Sequence, residues 1–218
     1  MTRLPKLPAL LLALLLLGVP GTAQSLSLKQ ITDKMEAARS RVDDITAKAK
    51  FDFRLTVGIL PYSDSLLGTY YFKKPDRHRL DFPDAPSYLK SVPSMFSWKL
   101  PSSEKYDCQV QGPLKTPGQG PLYNLLFTSK NPDSKTSSIT VAVDALKWRI
   151  ARQDTRYKDG GSVLLSFGYT EQKGLPLLQQ VSGKLDIPSY KLKGTAGLSF
   201  SDQQVNEGVD NTVFTGAE

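Results

Sequence analysis

The chain has 218 residues, a formal net charge of +7 and a single cysteine, Cys108. This length suits one sizeable hydrophobic core and is short for two, and a lone cysteine excludes an internal disulfide bond. The positive charge is moderate and spread along the chain, which is typical of a soluble protein and is weak evidence for a nucleic-acid-binding surface.

The first residues have the pattern of an export signal. Arg3 and Lys6 precede the apolar run LPALLLALLLLGVP, which is followed by the small residues GTA. A signal peptide needs ~7–15 apolar residues and a membrane-spanning helix ~20, and prolines bracket this run. We therefore expect cleavage after Ala23, a single domain over residues 24–218 and a periplasmic location. An uncleaved membrane anchor is the alternative.

The segment from Ser27 to Ala49 predicts one amphipathic helix. Its apolar residues recur at steps of three and four and form a single stripe, while charged residues of both signs fill the other positions. Ser27 is placed to cap the N-terminus of this helix. At Lys50 the apolar period changes to two, which predicts that a half-buried strand begins there.

From Lys50 onward the sequence predicts an antiparallel sheet. Strand-like runs alternate with turn signals such as PYSDS, PSSE and KDGGS, and Pro75 interrupts the stretch GTYYFKKPDRHRLDF. One segment differs, because Pro121 begins PLYNLLF, whose leucines share one helical face. The predicted fold is α+β and mainly β, with one strongly curved sheet, a long N-terminal helix and a short apolar helix in mid-chain.

The sequence offers no set of residues typical of an enzyme. His78 is the only histidine and lies between Arg77 and Arg79, whose charges disfavour protonation of its ring. There is no paired-histidine zinc motif and no glycine-rich phosphate-binding loop. The carboxylate pairs Asp43–Asp44 and Asp81–Asp84 fall on a predicted solvated helix face and in a turn. We therefore expect no catalysis, no metal site and no cofactor.

The stretch GTYYFKKPDRHRLDF has two interpretations. Aromatic residues interleaved with basic ones occur in proteins that bind single-stranded nucleic acid. Basic residues on an edge strand also prevent it from pairing with strands of other molecules. The second interpretation is favoured because the net charge is modest and dispersed, so we expect no nucleic-acid partner.

Together these segments resemble the LolA-like family, the periplasmic carriers of outer-membrane lipoproteins, and their lipoprotein-sorting relatives. The resemblance lies in an N-terminal helix leading into KFDFRLTV, the block KKPDRHRLDF, the segment GPLYNLLF after a glycine-rich loop, and the ending VNEGVDNTVF. It covers essentially residues 24–218. It implies an unclosed antiparallel half-barrel around a helix, with short helices forming a lid over an apolar cavity.

The resemblance implies a soluble periplasmic carrier that shelters the acyl chains of lipoproteins, or of another envelope lipid, for transfer toward the outer membrane. An inner-membrane donor complex and an outer-membrane acceptor are the implied partners, and a monomer is expected. One alternative is a periplasmic regulator similar to RseB, which binds mislocalised lipoproteins or a membrane partner. A structural module with a filled core is another.

The alternation of strand residues, read with this resemblance, implies which side chains meet the lipid. Tyr70, Phe72 and Lys74 are expected to point inward, and Tyr71 and Lys73 outward. An ordinary filled core has the same apolar pattern, so the alternative that these residues pack against one another without a cavity stays open. The expected cavity residues are Phe53, Leu55, Tyr70, Phe72, Leu80, Phe96, Trp98, Trp148, Ile150, Leu165 and Phe167, and the expected lid contacts are Leu122, Leu125 and Leu126.

Lys74, directly before Pro75, stands where similar carriers often have an arginine that ties the strand to the lid. The resemblance therefore implies a latch at Lys74. An ammonium group lacks the planar fork of a guanidinium, so this latch is expected to be weaker.

Overall fold

The computed structural model describes residues 26–85, 100–115 and 120–215. One α-helix, α1 (Leu28–Arg39), precedes ten strands, and short 3₁₀ helices follow the ninth and tenth strands at Pro188–Tyr190 and Asn211–Phe214. The strands are β1 (Asp44–Val57), β2 (Leu60–Lys73), β3 (Arg77–Asp81), β4 (Tyr106–Lys115), β5 (Pro121–Ser129), β6 (Thr136–Asp144), β7 (Arg149–Tyr157), β8 (Ser162–Gln172), β9 (Leu175–Ile187) and β10 (Leu192–Val205).

All ten strands belong to one antiparallel sheet, in the order β3-β2-β1-β10-β9-β8-β7-β6-β5-β4. The first and last strands pair in the interior of the sheet, whereas β3 and β4, which follow each other in the chain, lie at its two ends. The sheet is therefore unclosed in the described part of the chain. This confirms the predicted mainly-β half-barrel with an N-terminal helix.

Helix α1 begins with a capping box, as Ser27 predicted. The Gln30 backbone N–H donates to the Ser27 hydroxyl, and the Ser27 backbone N–H donates to Gln30 Oε1 at 2.8 Å. Ile31 and Met35 lie one turn apart on the face toward the sheet, and both are buried in the core. The other residues of the helix are exposed, apart from the half-buried Leu28, Thr32 and Ala38.

The predicted length of this helix is wrong, because α1 ends at Arg39 and β1 already begins at Asp44. Ala47, Ala49, Phe51 and Phe53 are the buried residues that alternate along β1. The period of two thus starts before Lys50. Ala49 fits a helical stripe and a strand face equally well, so the apolar spacing alone did not separate the two structures.

The predicted helix in PLYNLLF is also wrong, because this segment is strand β5. Leu125 pairs with Val110 of β4 and Val141 of β6, and it is fully buried. Leu122 and Leu126 are half-buried on the opposite face of the strand. A short run that is apolar on both faces suits a strand inside a sheet, and it is too short to be stable as an isolated helix. The three predicted lid leucines are therefore part of the sheet.

The core fills most of the space between α1 and the inner face of the sheet. One continuous apolar cluster extends from α1 through β1, β2 and β10 to β5 and β6. Its largest fully buried side chains include Ile31, Phe127, Ile150, Leu165 and Leu198. The half-barrel is thus mostly packed with its own side chains.

The stretch GTYYFKKPDRHRLDF forms the end of β2, a turn at Pro75, and β3. Its basic residues hold the segment that follows β10. Lys73 Nζ donates to the Val209 carbonyl at 2.5 Å, and Arg79 Nη1 donates to the Val213 carbonyl at 2.6 Å. The Arg77 guanidinium lies 5.3 Å from the centre of the Phe214 ring. These contacts place the Asn211–Phe214 helix beside β3, and they give the basic cluster a structural role.

Gly68 is required by the close approach of β2 to the end of β3. A Cβ atom at this position would lie 2.1 Å from the Asp81 carbonyl oxygen and 2.6 Å from Phe82 Cδ1. Gly68→Ala is therefore expected to lower the free energy of unfolding by about 1–3 kcal/mol, measured by urea denaturation. Gly168→Ala is the control, because its Cβ would be 3.7 Å from Gln180 and leave stability nearly unchanged. Equal stability of the two variants would contradict this packing.

Candidate functional site

A cavity of about 100 Å³ lies between α1 and the inner face of the sheet. Its walls are mostly apolar and include several aromatic rings. The helix and the segment after it contribute Met35, Ala38, Arg39 and Val42. The turn before β7 contributes Lys147 and Trp148. The lining residues from the strands are Ile45 of β1, Tyr70 and Phe72 of β2, His78 of β3, Arg149 and Ile150 of β7, Tyr169 of β8, Pro176, Leu177 and Leu178 of β9, and Phe200 and Gln203 of β10.

Every predicted cavity residue that the structure describes belongs to the core or packs against it. Phe53, Tyr70, Ile150, Leu165 and Phe167 are buried, and Leu55, Phe72, Leu80 and Trp148 are half-buried. Of these, Tyr70, Phe72, Trp148 and Ile150 also line the cavity. Phe96 and Trp98 lie outside the described residues. Lipid contact stays a prediction for the whole set.

A hydrogen-bonded chain fixes the wall formed by β2 and β3. Tyr70 Oη lies 2.9 Å from His78 Nδ1, and His78 Nε2 lies 3.2 Å from Asp76 Oδ1. The tyrosine hydroxyl donates to Nδ1 when the imidazole proton is on Nε2 and faces the carboxylate. Burial raises the pKa of the Tyr70 hydroxyl well above its ordinary value. The single histidine therefore orients an aromatic wall.

On the opposite wall, Tyr169 is held at both ends of its side chain. Its hydroxyl donates to the Ile150 carbonyl at 2.9 Å, and the Arg149 guanidinium lies 4.4 Å from the centre of its ring. Burial raises the pKa of the Tyr169 hydroxyl, and the charges of Arg149 and Arg39 act in the opposite direction. Both guanidinium groups are thus close enough to this tyrosine to affect it electrostatically.

Trp148 covers one side of the cavity from an unfavourable backbone conformation. Its φ is 51°, in the left-handed region that costs a non-glycine residue ~1–2 kcal/mol. The turn before it is held by Asp144, whose Oδ1 accepts from Leu146 N–H at 2.8 Å and whose carbonyl accepts from Trp148 N–H at 2.8 Å. The indole stacks on Tyr123 at 5.9 Å, and Lys34 Nζ lies 4.8 Å from the indole centre.

Lys74 does not reach the predicted lid leucines. Its ammonium group donates to the Ser40 carbonyl and to Asp43 Oδ1, which is 2.6 Å away, and its backbone N–H donates to the Asp43 carbonyl at 2.9 Å. It therefore joins the turn after β2 to the segment between α1 and β1. What Lys74 fixes is the C-terminal end of α1.

Sequence reasoning missed several cavity residues, chiefly Arg39, Arg149, Tyr169, Leu177 and Phe200. Tyr169 and Phe200 continue the inward alternation of β8 and β10 and could have been found by extending those patterns. Arg39 gave no such signal, because a charged residue on an amphipathic helix normally belongs to its solvated face.

The sequence matches no protein-family model. It also matches no curated protein sequence. Comparison with solved structures nevertheless finds the same architecture in several proteins of low sequence identity.

One match is a domain described as an outer membrane lipoprotein-sorting protein from Vibrio parahaemolyticus, with a TM-score of 0.63, 14% identity, and coverage of 85% of this chain and 95% of that one. A DUF1329 family protein from Desulfovibrio piger gives a TM-score of 0.57 at 13% identity, covering 86% and 95%. A LolA superfamily protein from Nitrosomonas europaea gives a TM-score of 0.52 at 11% sequence identity, and the match covers 88% of this chain and 98% of that one.

The chain has a LolA-like fold. At these identities the likeness concerns the fold and leaves the ligand undetermined. Within residues 26–85, 100–115 and 120–215, no helix is both long and apolar enough to cross a membrane. In the same ranges, no three His, Cys, Asp or Glu side chains come together as a metal-binding group.

Cys108 of this LolA-like fold is half-buried in β4, and burial raises the pKa of its thiol to about 11. At pH 8 about one such thiol in a thousand is ionised, compared with roughly one in four for an ordinary cysteine. We expect slow labelling by a thiol-specific disulfide reagent at pH 8, with a rate that rises steadily up to about pH 11. The urea-unfolded chain should label fast and serves as the control. Fast labelling of the folded chain at pH 8 would contradict the burial.

Proposed function

We propose that this chain is a carrier that holds an acyl chain of a lipoprotein, or of another envelope lipid, in the cavity beneath α1. The observation that carries this proposal is the position of an apolar, aromatic-walled cavity between α1 and the inner face of an unclosed sheet. The fold that the chain shares with a lipoprotein-sorting protein domain supports it.

The cavity has to enlarge to accept a whole acyl chain. Its volume of about 100 Å³ is below the ~300–1,000 Å³ of ordinary ligand pockets and below an engineered apolar cavity of ~150 Å³ that binds benzene. A short apolar group fits without rearrangement, whereas a longer chain requires that α1 move away from the sheet.

The two ends of α1 are held differently, which favours a swinging movement. After the helix, Asn206 Nδ2 donates to the Arg41 carbonyl at 2.9 Å, and Asp43 N–H donates to Asn206 Oδ1 at 2.7 Å. Lys74 binds the same segment at the Ser40 carbonyl. The N-terminal end has its own capping box and the burial of Ile31. Residues 40–43 therefore act as the fixed end of the movement.

The energy of this movement is within the range that an acyl chain provides. Exposing a buried aliphatic side chain costs ~1.5–3 kcal/mol, so exposing Ile31 and Met35 costs about 3–6 kcal/mol. Each CH₂ removed from water contributes ~0.8 kcal/mol. A chain that buries about four to eight methylenes offsets the displacement of α1, and common acyl chains are longer.

The remaining parts of the proposal come from the sequence. Residues 1–23 act as a cleaved export signal, residues 24–218 form the periplasmic carrier, and loading and release use a membrane donor and an outer-membrane acceptor. The half-buried ring of Phe72 at the cavity wall offers the most direct test of the binding site.

Phe72→Glu should abolish the fluorescence gain of an acyl-binding naphthylamine dye, because a carboxylate in the cavity wall makes burial of an apolar ligand unfavourable. Tyr71→Glu is the matched control, since Tyr71 is the next residue, is equally half-buried and does not line the cavity. Circular dichroism confirms that both variants are folded. Equal dye binding by the two variants would contradict a site at this cavity.

Native mass spectrometry of the protein purified from its own periplasm is the complementary measurement. We expect co-purifying acylated species whose masses identify the ligand. A clean ligand-free mass, together with no dye binding by the wild-type protein, would overturn the carrier function.

A further inference from the structure

The cavity is apolar inside and positively charged at its opening. Arg39, Lys147 and Arg149 are among its lining residues, and no Asp or Glu of the described residues is. Lys147 has a partial counter-charge, since Glu171 lies 3.8 Å away at the surface. In the described part of the chain, no ion pair is found for Arg39 or Arg149.

The two arginines approach the opening from different elements. Arg39 is the last residue of α1 and is exposed, and Arg149 is the first residue of β7 and is half-buried against Tyr169. Both act electrostatically on the Tyr169 hydroxyl, and Arg39 also acts on Tyr70. Both residues line the same cavity, and the Arg149 guanidinium lies over the Tyr169 ring in its wall.

We propose that this opening selects a single acyl chain that carries an anionic head group. The inference rests on the proposed carrier function and restricts its ligand to lipids with an anionic head group. The tail enters the cavity beneath α1, and the head group is held by the guanidinium groups of Arg39 and Arg149. A guanidinium group donates two parallel hydrogen bonds to a carboxylate or a phosphate, which an uncharged ester or alcohol does not match.

Two kinds of lipid present this chemistry, a free fatty acid and a lipid phosphate. Competition with a neutral acyl-binding dye distinguishes them, using dodecanoate, dodecyl phosphate and dodecanol below their critical micelle concentrations. The three ligands have the same tail, so differences in affinity report on the head group. We expect at least one of the two anions to bind about tenfold more tightly than dodecanol.

The double variant Arg39→Gln, Arg149→Gln should remove the preference for the anions over dodecanol, so that the three ligands bind with similar affinity. Arg54→Gln, Arg152→Gln is the control, because it removes the same charge from exposed positions that do not line the cavity. The salt dependence of the wild-type protein gives a second readout. Anion binding should weaken as ionic strength rises, while dodecanol binding stays constant.

The outcomes separate this inference from the carrier function. If dodecanol binds the wild-type protein as tightly as both anions, head-group selection is wrong and the carrier function stands. If none of the three ligands displaces the dye, the carrier function itself is contradicted. Preference for dodecanoate identifies a fatty-acid site, and preference for dodecyl phosphate identifies a lipid-phosphate site.

Discussion

The structure depends on how a sheet that curls without closing covers its apolar inner face. A closed barrel buries that face by itself, but here β3 and β4 lie at opposite ends of the sheet, and a helix of twelve residues has to cover it. Ile31 and Met35 are the buried anchors of that helix. A ligand that enters the cavity beneath α1 therefore alters the contact between α1 and the sheet.

The polar contacts around α1 are concentrated at its C-terminal side. Asn206, Lys74 and Asp43 link the turn after the helix to the ends of β10 and β2. The cavity opens beside this anchored end, where Met35, Ala38 and Arg39 face β7–β10. The same region thus combines a fixed support with space for a ligand, and Arg39 and Arg149 add positive charge beside the apolar walls.

Much of the sheet could be predicted from sequence, because strand alternation is a local signal. The pattern of Phe51 and Phe53, the break at Pro75 and the turn KDGGS all agree with the structure. The helix predicted for PLYNLLF is wrong because a short run that is apolar on both faces fits a helix as well as a buried strand. The predicted end of α1 is wrong because alanine fits the helical period of about 3.6 and the strand period of two equally well.

The cavity could be predicted only in part, since its position depends on contacts between distant segments. Tyr70, Phe72, Trp148 and Ile150 were identified from apolar alternation, which does not indicate whether a side chain faces space or another side chain. Arg39 was not identified, because nothing in the neighbouring sequence shows that α1 ends beside a cavity. Such residues become recognisable only when the register of the strands and the placement of α1 are known.

The pairing of β1 with β10 has a consequence for how the chain reaches its folded state. Phe51 meets Leu198 across this pair, so the two segments join only after nearly the whole polypeptide is available. Contacts between such remote segments slow folding, because a long loop must close before any stabilising contact forms. Until then α1 and β1–β3 lack most of the strands against which they pack. A newly synthesised chain therefore stays unfolded for longer than a protein built from neighbouring hairpins alone.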